Sequence, residues 1–264
     1  MIDMTTIVGT HDLAIIVLDA LRFDVAVEEM AAGRTPNLAA RIPGGWEQRH
    51  SPGTFTYAAH AAFFAGFLPT PARPGRHRRL LALGFDGSET IGEGTCVLEG
   101  ATIVEGLAAR GYHTLCVGGV GFFNLRNPLG SELPGLFVER HWDRSTGVTD
   151  PRSFENQLDV VERSLAAVPP ARRAFTFVNV PALHQPNHCY LDGGPERDTK
   201  LSHAAALRYV DAHVPRLFDL LGRRGPTFVM LMSDHGTLYG EDGYVGHRIA
   251  HPIVTTVPYA EVIL

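Results

Sequence analysis

The sequence predicts a single α/β domain in which a mostly parallel β-sheet is sandwiched between helices. Three short apolar runs, residues 13–18, 175–180 and 228–232, are unpunctuated, as strands buried on both faces are. Helical patterns alternate with them, as in chains that build a parallel sheet with helices on both sides. Two of the runs end on an aspartate, Asp19 and Asp234, where open α/β sheets place ligand-binding groups. The 264 residues suit one core, and no repeat or low-complexity linker divides them. Residues 1–264 therefore read as one domain.

In chain order, the strand at 13–18 leads into a helical spacing over 20–30, stopped by Gly33 and Pro36. Residues 35–54 are rich in Pro, Gly and polar groups and read as loop. From Tyr57 good helix formers continue to Gly66 and Pro69, so Thr56 falls at or just before a helix N-terminus. It is then either a cap residue or part of an anion site built from free N–H groups. Residues 70–95 read as an irregular excursion, and the basic cluster at 73–79 as a solvated loop. A helix over 98–110, closed by Gly111, precedes a strand at 113–117. The glycine-rich Gly118-Gly-Val-Gly121 lacks a phosphate-loop pattern and reads as a turn. An amphipathic helix is expected over 154–167. The longest helical pattern, 201–221, contains Pro215, which predicts a kink or a break.

Composition limits the function classes. Apolar content of 45% and charge of 19% are those of a globular protein, and a net charge of −5 gives no electrostatic case for nucleic acid or an anionic membrane surface. The first residues lack a basic start and an apolar core, and no apolar run approaches the roughly 20 residues that span a bilayer. Three widely spaced cysteines argue against a disulfide framework. A soluble, cytoplasmic protein with no membrane partner is expected; the sequence does not give its oligomeric state.

The chemistry concentrates at residues 229–251. There the buried strand breaks into Ser233-Asp-His-Gly236, a carboxylate and an imidazole suited to a divalent cation. His247 and His251 follow, with Gly236, Gly240, Gly243 and Gly246 letting the loop fold back on the strand end. Asp19, at the end of another strand, is either a helix N-cap or a second metal ligand. The exit of the strand at 175–180 carries His184 and His188, which Pro186 keeps off a common helix.

Three segments, in order, resemble the alkaline phosphatase superfamily and its sulfatase-like branch. Ile15-Ile-Val-Leu-Asp-Ala-Leu-Arg-Phe-Asp24 with Thr35-Pro-Asn-Leu38 resembles the opening strand, first metal aspartate and following loop. Thr56-Tyr-Ala-Ala-His-Ala-Ala-Phe-Phe-Ala-Gly66 is similar to the nucleophile segment. Tyr209-Val-Asp211 and Ser233-Asp-His-Gly236 through His247 resemble the closing metal motif. The resemblance implies an alkaline phosphatase-like fold, with Asp19, Thr56, Asp234 and His235 on one cation and Thr56 as nucleophile. It implies His188 and His247 as catalytic groups. His184, His188, His247 and His251 become candidates for a second metal or the substrate, and His60 and Arg22 for substrate contacts. The cofactor implied is one or two divalent ions, Zn2+ or Mn2+ foremost, with Mg2+ as a further candidate. Threonine stands where the sulfatase nucleophile is a cysteine, His60 replaces that motif's arginine, and Ala182 stands where the phosphodiesterase relatives have a Pro-Asp pair.

A dication that binds a hydroxyl lowers its pKa, so this set predicts a metal-dependent hydrolase of a phosphate mono- or diester, or a phosphonate, through a phosphothreonine intermediate. The same intermediate passed to a non-water acceptor gives a group transferase. A non-catalytic member that binds metal or ligand is the third reading. The expected partner is a small phosphoester, met by loops at 70–95 and 120–150, where His141, Trp142, Asp143 and Arg152 are the candidate contacts.

Overall fold

A strand with no solvent-facing side needs an apolar layer above and below it, and helices on both faces supply these layers. The computed structural model describes residues 2–66, 79–82, 95–97 and 102–264. Its elements run α1 (Met4–Ile7), β1 (Asp12–Leu18), α2 (Phe23–Ala31), α3 (Pro36–Arg41), β2 (Glu47–His50), α4 (Thr56–Ala65), β3 (Arg79–Ala82), β4 (Thr95–Val97), α5 (Ile103–Ala109), β5 (His113–Val117), α6 (Pro128–Gly135) and β6 (Glu139–His141). They continue with α7 (Ser153–Ala167), β7 (Ala174–Val180), α8 (Lys200–Gly222), β8 (Thr227–Met232), β9 (Leu238–Tyr239), β10 (Val245–Gly246), α9 (Pro252–Thr255) and β11 (Thr256–Ile263).

The main sheet has the order β2-β11-β8-β1-β7-β5-β6. The five strands from β8 to β6 are mutually parallel, while β11 runs antiparallel to β8 and β2 antiparallel to β11. The fold is thus the mostly parallel, helix-flanked α/β domain that the sequence predicts. Alternate residues of β1 show how the faces divide. Ala14, Ile16 and Leu18 pack with Val25 of α2, Leu158 of α7 and Leu207 of α8. Leu13, Ile15 and Val17 pack with Phe64 of α4, Val104 of α5 and Leu133 of α6. A strand whose side chains alternate between two cores shows no polar–apolar period, which is why β1, β7 and β8 read as continuous apolar runs.

Four local readings need correction. The helix expected from residue 20 begins at Phe23, because Ala20 takes a left-handed φ of 65° and its N–H turns to Asp234. The stretch 35–54 is not all loop. Pro36 opens α3 at the first helical position, where its missing N–H costs nothing, and β2 is an exposed strand held by pairing to β11. Pro215 does not break the long helix, since α8 is one element of 23 residues. The carbonyl that Pro215 leaves without a donor, that of Asp211, accepts from Asn37 Nδ2 at 3.1 Å. The stretch 120–150 carries α6 and β6 rather than loop alone. Residues 73–78, with most of the excursion at 70–95, lie outside the described residues. Cys116 and Cys189 are both free thiols.

Candidate active site

Three adjacent strands deliver the site. In the sheet β1 lies between β8 and β7, with Val17 opposite Met232 and Leu18 opposite Val180. Asp19, the Ser233–His235 segment and the residues after Val180 therefore leave the sheet at one edge, its carboxyl end. Asp19, Asp234 and His235 are buried, and each offers a ligand atom within 4.8 Å of the others. Asp234 Oδ1 accepts from the N–H groups of Ala20 at 3.1 Å and His235 at 3.0 Å. Asp19 Oδ2 accepts from Asn179 Nδ2 at 2.8 Å. These bonds fix both carboxylates and leave Asp19 Oδ1 and Asp234 Oδ2 buried with no hydrogen-bond partner.

Thr56 is the first residue of α4, with Phe55 as the extended N-cap, so its hydroxyl is free of capping. Its Oγ1 lies 3.4 Å from Asp19 Oδ2 and 3.3 Å from His235 Nε2. The close packing around this point needs glycine twice. A Cβ on Gly119 would come within 2.4 Å of the Asn179 carbonyl, and one on Gly236 within 2.0 Å of the Ile253 carbonyl. The turn at 118–121 is thus a close approach to the β7 backbone, and no phosphate cradle.

Electrostatics bear on what the cluster could hold. Burial, and for Asp19 also the neighbouring Asp234 charge, push both carboxyl groups above the ordinary carboxylate range. Burial pulls His235 the other way, toward its neutral form. A carbonyl only accepts, so His235 Nδ1 carries the proton it donates to Gly236 O at 2.9 Å, leaving the Nε2 lone pair toward the carboxylates. Two orphaned carboxylate oxygens, an imidazole lone pair oriented by a carbonyl and a hydroxyl form a donor set that fits zinc or manganese.

Above the cluster opens a cleft of about 630 Å³, lined among others by Thr56, His184, His247 and Arg248. His184 and His247 are the histidines brought to the centre: ring centroids lie 4.6 Å apart for His235 and His247, and 5.2 Å for His184 and His247. Burial, then His235 and His184, hold His247 down to about 3. The order expected at the β7 exit is therefore reversed. His188 turns away to Asp198, with Nδ1 3.3 Å from its Oδ1. His251 also stays away from the cluster, because it caps α9 and bonds Asp242 at 3.0 Å.

His60 and Arg22 do not line the cleft. His60 is fully buried among phenylalanines, its Nδ1 bonded to the Thr56 carbonyl at 2.7 Å. Arg22, 2% exposed, is spent on Asp24 and Glu241. In the 120–150 stretch the cleft is lined by Val120, Gly121, Phe122, Asn124, Asn127, Leu129 and Val148, whereas His141, Trp142, Asp143 and Arg152 bond elsewhere. Sequence reasoning missed Asn179, which bridges Asp19 to the cleft wall by accepting from Val120 N–H at 3.0 Å. An amide inside an otherwise apolar strand is the signal that would have found it.

Comparison with known proteins places the fold. The sulfatase family model matches residues 12–259. The chain belongs to the sulfatase family. Its fold is that of the alkaline phosphatase superfamily, which joins this sulfatase-family chain to solved structures of low identity. The C-terminal periplasmic domain of phosphoethanolamine transferase EptC from Campylobacter jejuni is 15% identical, with 97% of this chain and 80% of that one covered at a TM-score of 0.61. The corresponding domain of Escherichia coli EptC, in complex with Zn, is 11% identical, with 96% and 73% covered at 0.60. The PsFucS1 sulfatase from Pseudoalteromonas sp. is 16% identical, with 96% and 62% covered at 0.61. No curated protein matches the chain in sequence.

Proposed function

We propose that this sulfatase-family chain is a metal-dependent enzyme that cleaves a small phosphoester through Thr56. The observation that carries the reading is the Thr56 hydroxyl, uncapped at a helix N-terminus on the cleft wall, 3.4 Å and 3.3 Å from two candidate metal ligands. Asp19, Asp234 and His235 would hold the ion with Thr56 beside them, and the E. coli EptC–Zn complex favours zinc. A dication bound there supplies Lewis acidity, lowering the pKa of a coordinated hydroxyl and polarising an ester oxygen.

The chain's own groups account for the rest. The Thr56 proton has Asp19 Oδ2 as its nearest carboxylate acceptor, and Oγ1 forms the new bond to phosphorus. The phosphorus–oxygen bond to the alcohol breaks, and that oxygen takes its proton from solvent in the cleft. The α4 N-terminus and the neutral His247 face the charge that develops on the remaining oxygens. Water then attacks the phosphothreonine, returns a proton to Oγ1 and releases the phosphate.

A transferase differs in the last step alone, where an alcohol replaces water. The structural likeness to phosphoethanolamine transferase domains favours that second reading. A formylglycine sulfatase is disfavoured, because threonine cannot supply that group. Net charge of −5 supports a small-molecule substrate over nucleic acid. Among the described residues no helix is long and apolar enough to cross a membrane. A cytoplasmic location remains our proposal, set beside EptC neighbours that are periplasmic domains.

Thr56→Ala tests the mechanism: turnover of 4-nitrophenyl phosphoesters should fall by roughly 10^4-fold or more while elemental analysis still finds metal. Unchanged kinetics would sink the nucleophile. Glycerol added to the wild type separates the two readings by whether a glycerol phosphoester accumulates.

A further inference from the structure

The cleft above Thr56 has two unlike walls. One is mainly apolar, formed by Val120, Phe122, Leu129 and Val148 with Asn124 and Asn127 among its residues, whose amide oxygens accept from the Arg126 and Gly130 N–H groups, and Leu129 is 38% exposed. The Phe122 ring lies 6.1 Å from that of Phe55 and 5.7 Å from that of Tyr57, so an aromatic surface continues to the two residues flanking the nucleophile. The other wall carries Arg248, the one permanently charged residue lining the cleft among the described residues.

Arg248 is held there by its backbone. It has a left-handed φ of 70°, unfavourable for a residue with a side chain, and its N–H donates to the Thr54 carbonyl at 2.8 Å. The guanidinium carbon consequently sits 5.6 Å from the Phe55 ring centroid, and it forms no ion pair with any described carboxylate. The contrast with Arg22, saturated by two carboxylates in the same region of the fold, leaves Arg248 available to an anion.

We propose that Arg248 and the Val120–Phe122–Leu129 wall form a specificity subsite that selects a singly charged phosphodiester bearing an apolar or aromatic ester group. One cation matches one substrate charge, and an apolar wall rewards a substituent that leaves water. A cleft of about 630 Å³ has the size of sites that enclose small organic ligands. A polar, doubly charged phosphomonoester would leave the apolar wall wet and one charge without a side-chain partner. This rests on the phosphoester reading above, but makes its own claim about binding.

The test uses metal-loaded Thr56→Ala protein, which does not consume ligand, and titration calorimetry with three probes. Diphenyl phosphate should bind about 10- to 200-fold more tightly than dimethyl phosphate, the range that apolar groups contribute in a pocket. Dianionic phenyl phosphate should bind more weakly than diphenyl phosphate. Phe122→Ala and, independently, Leu129→Ala should each shrink the diphenyl-to-dimethyl ratio. Arg248→Gln should weaken both diesters by a common factor of about ten, with Arg248→Lys recovering most of it. Equal affinities for the two diesters, tighter binding of phenyl phosphate, no effect of Arg248→Gln, or no binding of any probe would overturn the subsite. Unchanged turnover by Thr56→Ala would instead sink the nucleophile, and the same ratios would then be read as inhibition constants against that turnover.

Discussion

Asp19 and Asp24 stand five residues apart, and the fold treats their charges in opposite ways. Asp24 receives two hydrogen bonds from Arg22, at 2.8 and 2.7 Å, and an ion pair from Lys200 at 3.0 Å. Burial raises its pKa, but these partners outweigh burial and hold it down to about 2. Glu29 is likewise gripped by Arg34 and Arg208. Asp19 and Asp234 are more deeply buried, and each keeps an oxygen with no hydrogen-bond partner, faced by the His235 imidazole and, for Asp234, also by that of His60. Buried charge without compensation is strongly unfavourable, and on the proposed reading a divalent cation would supply that compensation at Asp19 and Asp234. Saturated carboxylates mark where this molecule holds itself together, and the orphaned pair is where we propose that it holds a metal ion.

The largest effect should come from neutralising an orphan. Asp234→Asn is expected to reduce bound metal from about one ion per chain to none by elemental mass spectrometry, with turnover down by roughly three orders of magnitude. Metal added at about 100 times its Kd should stabilise the wild type by about 2.7 kcal/mol and the variant not at all. Full metal occupancy in Asp234→Asn would erase the distinction between the two regions. Arg22→Ala makes the converse change. It strips the cation from Asp24 and Glu241, which are partly solvated, and should cost about 2 kcal/mol, or about 4–8 °C in Tm by calorimetry, with metal content intact.

The same comparison has a sign in pH. The Asp24 carboxyl is depressed below its ordinary 3.8, so its contribution to stability is complete above that pH and fades as the pH falls toward about 2. For the metal-free protein, Asp234 is raised, and its favourable contribution exists below pH 3.8 and is lost as the pH climbs through the folded-state value. Urea midpoints of metal-free Asp24→Asn and Asp234→Asn should therefore depart from the wild type in opposite pH directions. Parallel shifts would show that the two carboxyl groups do not differ as the hydrogen bonding says.

How much of this was legible in the sequence depended on whether a residue's environment is set locally. The strands β1, β5, β7 and β8 were placed to within a residue, because burial on both faces leaves an uninterrupted apolar run. Asp19 directly follows a strand, Asp234 and His235 lie two and three residues past one, and Thr56 opens a helix, so local pattern marks all four. By contrast β2, Glu47–His50, is exposed at all four residues and owes its form to pairing with a strand more than two hundred residues on. The sequence ranks His188 ahead of His184, and the structure reverses the order, because short turns after β7 decide which ring faces inward. His60 and Arg22 were misread for a related reason: both lie next to the site in sequence, yet one packs among aromatic rings and the other among carboxylates.

The smallest effect tests whether saturation extends to the backbone. In the Thr35-Pro-Asn-Leu38 segment, Asn37 and Leu38 bond the Asp211 carboxylate, Leu38 N–H at 2.7 Å, which serves the free N–H groups at the start of α3. Asn37 Nδ2 also reaches the Asp211 carbonyl, the one that Pro215 deprives of its helical donor. Asn37→Ala alone should cost about 1 kcal/mol, the usual net value of such a bond. Pro215→Ala restores an N–H one turn along, so in that background the loss of Asn37 should cost measurably less, the coupling being read from a double-mutant cycle of urea denaturation. Strict additivity would mean that α8 tolerates its proline for some reason other than this amide.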